Sequence, residues 1–150
     1  MTTSNAPFFV DNEVILLNSE GVWIADGHEI THEPTRKLFA RSLALDEKGW
    51  FLKIGRETKH ILVQDTPYFV MRLGGSPRSG WVLKLNDETE EPLELEGLSY
   101  KPGRLAVKLK RGIEAKFLRG PYFELLRDLE EDDAGYWLES KGARVLLARK

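Results

Sequence analysis

The chain repeats itself. Asp46-Glu47-Lys48-Gly49-Trp50-Phe51-Leu52 returns near the C-terminal end as Asp132-Asp133-Ala134-Gly135-Tyr136-Trp137-Leu138. A leucine- and phenylalanine-bearing helical patch precedes each copy, and a short apolar run follows it. Self-similarity at a fixed offset constrains architecture more than any single residue does, because each copy has to build the same supersecondary unit. Two copies predict two similar subdomains about a pseudo-twofold axis, with a cleft between them.

The remaining punctuation fits that frame. Gly21-Val22-Trp23-Ile24 runs into Asp26-Gly27, a strong short hairpin signal, and returns through His28-Glu29-Ile30. Thr31 is placed to cap a helix with Pro34 in its first turn. Leu38, Phe39 and Leu43 mark that helix's apolar face, and Asp46 to Gly49 ends it. Residues 50–54, 60–64, 68–73 and 81–85 read as strands, with Gly74 to Gly80 as a loop. Leu105, Val107 and Leu109 alternate with Ala106, Lys108 and Lys110, the period of a half-buried strand. Arg111-Gly112 turns it and residues 113–118 return. A helix from Gly120-Pro121 carries Leu125, Leu126 and Leu129 as its apolar face. A hairpin around Lys141-Gly142 closes the chain. The fold class is therefore α+β. It holds two strand-rich hairpin–helix–hairpin subdomains from an internal duplication, spanning residues 1–85 and 86–150.

Composition narrows the function classes. A chain of 150 residues can bury a sizeable core without staples. It has no cysteine, which removes disulfides and thiolate metal sites and fits a reducing, cytoplasmic setting. No stretch approaches the roughly 20 apolar residues of a membrane span. Met1 to Pro7 lacks the basic and apolar regions of a signal peptide and reads as a frayed tail.

Net charge is −2, so bulk charge does not select a partner. Its distribution is uneven. Acids crowd Asp87 to Glu96 and Asp128 to Asp133, while residues 101–119 carry seven basic side chains and one acid, Glu114. Blocks of opposite sign usually neutralise one another in the fold. Nucleic-acid platforms interleave basic residues with exposed aromatics. Here Tyr100 and Phe117 are sparse, so nucleic acid is not expected as the partner.

Catalytic constellations are missing. No serine lies in a Gly-x-Ser-x-Gly elbow. His28 and His32 are separated by a turn and a helix cap, and no acid completes a metal spacing. Gly74 to Gly80 leads into a strand, so it lacks the helix N-terminus that makes a glycine loop cradle phosphate. Neither a metal nor a cofactor is expected, and an enzyme is the less favoured class. Arg111 at a tight turn and Arg119 before a helix start suit a small anion. A salt bridge from Arg111 to Asp65 or Glu114 is the competing explanation.

Several segments taken in order resemble a known family. They are Asp26-Gly27 after Trp23, Leu38-Phe39, residues 59–67 (Lys-His-Ile-Leu-Val-Gln-Asp-Thr-Pro), residues 110–115 (Lys-Arg-Gly-Ile-Glu-Ala) and residues 135–142 (Gly-Tyr-Trp-Leu-Glu-Ser-Lys-Gly). Their order and spacing, from about Asn18 to the C-terminus, are similar to the bacterial family called domain of unknown function 1285. The resemblance implies a duplicated α+β fold whose second half superficially resembles pleckstrin-homology domains. It also implies a nucleotide-like ligand between the halves, a signalling role, and no established catalytic residues. The matching positions are Lys59, Asp65, Asn86, Asp87, Arg111, Gly112, Glu114 and Arg119. The chain departs from the family pattern at Gly55 to Thr58 and at His32.

The expectation is a non-catalytic, cytoplasmic ligand-binding and regulatory module for a small anionic, nucleotide-like molecule held between its halves. Lys59 and Arg111 are the expected anion anchors, and Asp65, Asn86, Asp87, Glu114 and Arg119 complete the set. A protein-interaction module is the alternative from another class.

Overall fold

In the first unit, strand β1 (Ile15–Leu17) pairs antiparallel with β2 (Trp23–Ala25), which turns into β3 (His28–Glu29). Asp26 and Gly27 make that turn with positive φ at both residues, 48° and 82°. This is the conformation a two-residue type I′ hairpin demands. Helix α1 (Glu33–Arg41) follows. His32, not Thr31, is its N-cap, and it gives no side-chain capping bond. Pro34 occupies the first turn, where a missing N–H costs little. The helix ends with Ser42 as its C-cap: the Ser42 N–H donates to the Phe39 carbonyl at 3.1 Å and its hydroxyl to the Leu38 carbonyl at 2.6 Å. Leu43 therefore leaves the helix. The buried helical residues are Phe39 and Ala40, and Phe39 packs edge-on against Trp23 with ring centroids 5.3 Å apart.

Three antiparallel strands come next, β4 (Leu43–Asp46), β5 (Gly49–Ile54) and β6 (Glu57–His60). Strand β7 (Leu62–Val63) then returns to lie parallel to β1, giving a four-stranded sheet in the order β3-β2-β1-β7.

The structure is a computed structural model that describes residues 8–150; the tail at Met1 to Pro7 lies outside the described residues. Phe8 and Phe9 form no strand. Their backbone N–H groups donate to the Glu57 carboxylate at 2.7 and 3.1 Å.

The second unit begins with β8 (Tyr68–Ser76) and β9 (Gly80–Leu85), then β10 (Glu90–Pro92), β11 (Leu98–Lys101), β12 (Arg104–Lys108) and β13 (Glu114–Phe117). They form one six-stranded sheet in the order β10-β9-β8-β13-β12-β11, with β8 and β13 parallel. β8 and β9 are hydrogen-bonded into this sheet, and the compact second unit begins at Tyr68. The glycine loop is also shorter than its composition suggests, since β8 runs through Ser76. Phe69, Val70, Leu83, Leu105, Val107 and Ala115 are each at most 1% exposed and form the heart of this unit's core.

Helix α2 (Arg119–Leu126) packs on β8 and β13. Leu125 is fully buried, Leu126 only half-buried, and Leu129 lies beyond the helix end. A three-stranded antiparallel sheet closes the chain: β14 (Glu130–Glu131), β15 (Gly135–Ser140) and β16 (Ala143–Arg149).

The two copies of the repeated motif make the same turn. Asp46 Oδ1 accepts the Lys48 N–H at 2.8 Å, and Asp132 Oδ1 accepts the Ala134 N–H at 2.9 Å. A glycine of positive φ ends each turn, and Leu52 and Leu138, three residues further on, are both 0% exposed. The order hairpin, helix, three-stranded antiparallel sheet thus occurs in both units. The wider pairing differs. The first unit's hairpin joins its sheet through antiparallel β1, whereas the second unit's joins through parallel β8. No helix among the described residues is long and apolar enough to cross a membrane.

Candidate functional site

Three of the expected site residues meet at one end of the six-stranded sheet. Asn86 follows β9 directly, and its Oδ1 accepts the Phe69 N–H at 3.0 Å while its own N–H donates to the Phe69 carbonyl at 3.1 Å. That side chain continues the β8–β9 ladder past its last strand pair. Asp87 then turns inward. Its Oδ1 accepts both the backbone N–H and the hydroxyl of Thr89, at 3.1 and 2.5 Å. Its Oδ2 accepts from Arg111 Nη2 at 3.1 Å. Arg111 stands on the turn between β12 and β13, and Gly112 behind it adopts φ 84°, a conformation that favours glycine.

The Arg111 guanidinium has a second support. Its Cζ lies 4.2 Å from the centroid of the Tyr68 ring, and Nη1 donates to the Tyr68 hydroxyl at 3.3 Å. The Asp87 side chain is 8% exposed and that of Arg111 41%. A buried carboxylate is costly unless it is both paired and hydrogen-bonded. Asp87 meets both conditions, through Arg111 on one oxygen and Thr89 on the other.

The other expected residues have different engagements. Glu114, placed by sequence to orient Arg111, forms its ion pair with Arg104. Arg119, the first residue of α2, sets its Cζ 5.7 Å from the Phe123 ring centroid. Lys59 and Asp65 belong to the first unit. Lys59 Nζ donates to the Val10 carbonyl at 3.3 Å, and Asp65 is an exposed residue of the bend after β7. The salt bridge that Arg111 forms with Asp87 is not among the pairings expected from sequence. Tyr68 is the residue that sequence reasoning missed. Its signal was its place directly after Pro67 at a strand start, where an aromatic ring reads simply as core. Among the described residues no group of three or more His, Asp or Glu side chains is arranged to hold a metal ion.

Burial pushes the Tyr68 hydroxyl above the usual tyrosine pKa; the Arg111 charge opposes that shift and the Asp87 charge adds to it. The unfolded chain then releases this proton at about pH 10, before the folded chain does. Stability from Tyr68 is complete below that pH and is lost as pH rises through the folded value. Chemical denaturation between pH 9 and 11 is expected to show a steeper alkaline loss in the wild type than in Tyr68→Phe. Equal slopes would mean that Tyr68 ionises alike in both states.

Solved structures share this fold. A DUF1285 family protein from Silicibacter pomeroyi DSS-3 superposes with a TM-score of 0.68 at 19% identity, over 90% of this chain and 79% of that one. A second, from Shewanella baltica OS155, gives 0.60 at 20% identity, over 81% of this chain and 96% of that one. No protein-family model matches the sequence, and no curated protein matches it either.

Proposed function

We propose that the chain is a DUF1285 family member acting as a non-catalytic regulatory module, and that it recognises a small anionic, nucleotide-like molecule through the Arg111 cluster of its second unit. The observation that carries the reading is the contrast within one ion pair. Asp87 is 8% exposed, whereas the Arg111 side chain it holds is 41% exposed and lies against the Tyr68 ring. A partly exposed arginine held by two neighbours is a preorganised contact, which lowers the ordering cost of binding. The shared fold with DUF1285 structures supports family membership, as do the sequence segments that resemble that family. The paired Asp-x-x-Gly turns and the common element order support a duplication behind the two units.

A thermal-shift screen against nucleotides and phosphorylated metabolites tests the reading. A ligand at a hundred times its dissociation constant is expected to stabilise the protein by about 2.7 kcal/mol. Arg111→Lys keeps the charge but loses the planar fork. It is expected to abolish that stabilisation and leave the ligand-free melting temperature nearly unchanged. If the variant instead lowers ligand-free stability and keeps the ligand response, Arg111 is a clip on Asp87 and the site lies elsewhere.

The protein-interaction alternative has one specific observation in its favour. Phe123 on α2 is 57% exposed, beside Tyr122 and under Arg119. Chemical-shift changes confined to α2 on adding a protein partner, with none at Arg111, would favour it.

A further inference from the structure

Strand β6 carries two charges on its inner face. Side chains two apart on a strand share a face, so Glu57 and Lys59 point the same way. Their cross-strand partners on β5 are Ile54 and Leu52, and Leu52 is 0% exposed. Glu57 and Lys59 are accordingly half-buried, while Thr58 and His60 are exposed. Both charged heads are spent on main-chain atoms of the arm at Phe8 to Val10. The Glu57 carboxylate accepts the Phe8 N–H on one oxygen at 2.7 Å and the Phe9 N–H on the other at 3.1 Å. Lys59 Nζ donates to the Val10 carbonyl at 3.3 Å.

These bonds read a backbone, whatever side chains it carries. In an extended strand successive N–H groups point to opposite sides; the bend at Phe8 and Phe9 brings both to one carboxylate. Side-chain selection comes at one position. Phe9 is 7% exposed, whereas Phe8 is 47% and Val10 63% exposed. The Phe8 ring stands edge-on to Phe39 at 6.3 Å, and Phe39 stands edge-on to Trp23. Main-chain bonds that hold the segment, with one buried side chain that selects it, are how peptide sites work.

The arm is joined to β6 by side chains alone. β6 is an edge strand, yet among the described residues no backbone–backbone bond ties the arm to it. The link from the arm to β1 is one turn at Asp11 and Asn12, closed by the Glu13 N–H on the Val10 carbonyl at 3.2 Å, with Asn12 at φ 64°. A segment with one buried side chain and no ladder opens at a free energy below that of global unfolding.

We propose that Glu57, Lys59 and the Phe39 ring form a docking seat for a short, phenylalanine-bearing peptide, and that Phe8-Phe9-Val10 is a strap that fills this seat in cis and lifts to admit a second peptide of its own pattern. That pattern is two successive N–H groups, a following carbonyl, and a phenylalanine at the middle residue. The seat lies wholly within the first unit and is independent of Arg111.

Hydrogen exchange on the wild-type chain tests the strap. The Phe8 and Phe9 amides are expected to be protected and to exchange through a local opening that low urea leaves unchanged, while the Leu52 amide follows global unfolding. No protection, or exchange only by global unfolding, would overturn the strap. Phe9→Ser in the full chain then empties the seat. In isothermal titration, the end-capped peptide Pro-Phe-Phe-Val-Asp, the sequence of residues 7–11, is expected to bind this variant about tenfold or more tighter than the wild type, where the tethered strap competes. Adding Glu57→Gln to the chain, or putting serine at the second phenylalanine of the peptide, is expected to remove the binding. If Phe9→Ser does not fold, or folds and binds no peptide, the arm is part of the core and the seat is wrong. If the wild type is a dimer that the peptide splits into monomers, the cis assignment is wrong and the arm of a second copy fills the seat.

Discussion

Gly135→Ala is expected to cost more than about 4 kcal/mol, a loss in the exceptional range for one substitution. The equivalent change at Gly49 is expected to cost about 1–3 kcal/mol, the ordinary strain of a side chain in a sparsely populated backbone region. Both glycines end an Asp-x-x-Gly turn with positive φ, 152° at Gly135 and 119° at Gly49. The difference lies in what surrounds them. A Cβ on Gly49 would meet nothing within 4 Å. A Cβ on Gly135 would overlap the carbonyl oxygen of Ala148 and stand 2.9 Å from the Arg149 Cα. Those are backbone atoms of the neighbouring strand, paired with β15 at Gly135↔Arg149. They can give way only by opening the end of the β15–β16 ladder. Urea denaturation of both variants beside the wild type measures the contrast. Equal losses would mean that β16 does not seat against Gly135.

Leu125→Ala is the second large effect. Leu125 is 0% exposed on a helix packed against β8 and β13, and truncating such a leucine costs about 2–5 kcal/mol. Leu126, its half-buried neighbour, is expected to lose about 1 kcal/mol or less, since less apolar area leaves water there. Thermal and chemical denaturation of the two variants separates them. A Leu126 loss matching that of Leu125 would place α2 a rotation away from its described seat. From sequence both leucines belong to one apolar face, because a 3.6-residue period cannot tell the centre of a narrow stripe from its edge.

That limit recurs across the chain. Asp26-Gly27 and Lys141-Gly142 are legible as turns because positive φ needs particular residues, and all four adopt it. Leu105 and Val107 are legible as buried strand positions because burial forces alternation, but Ala106 between them is 0% exposed as well and β12 ends at Lys108. The end of α1 is not legible. Leu43 falls on the helical period of Phe39, and only the Ser42 hydroxyl, bonded to Leu38, marks the break. Strand β4 is missed with the helix end, because its Leu43 is counted into α1. Strands β10 and β14 are missed for another reason: they are short and polar, and they exist because a neighbour offers an open edge, not because their own residues prefer it. At the candidate site, Arg111 can be named from its place at a tight turn, and Asn86 and Asp87 only through the family resemblance; the Asp87–Arg111 pairing and the Tyr68 ring beside it come only from the register that sets β8 beside β13.

That parallel register also sets a timetable for synthesis. β8 and β9 form a hairpin and can pair as soon as both have been made, whereas the other neighbour of β8 is not complete until Phe117. Closing a long intervening loop is the slow part of such a fold. A nascent chain that has grown past Leu85 but not yet to Phe117 carries an unpaired β8 edge bearing Phe69 and Val70, the kind of edge that recruits other chains. The interval between those two residues is when the β8 edge has no partner on its β13 side.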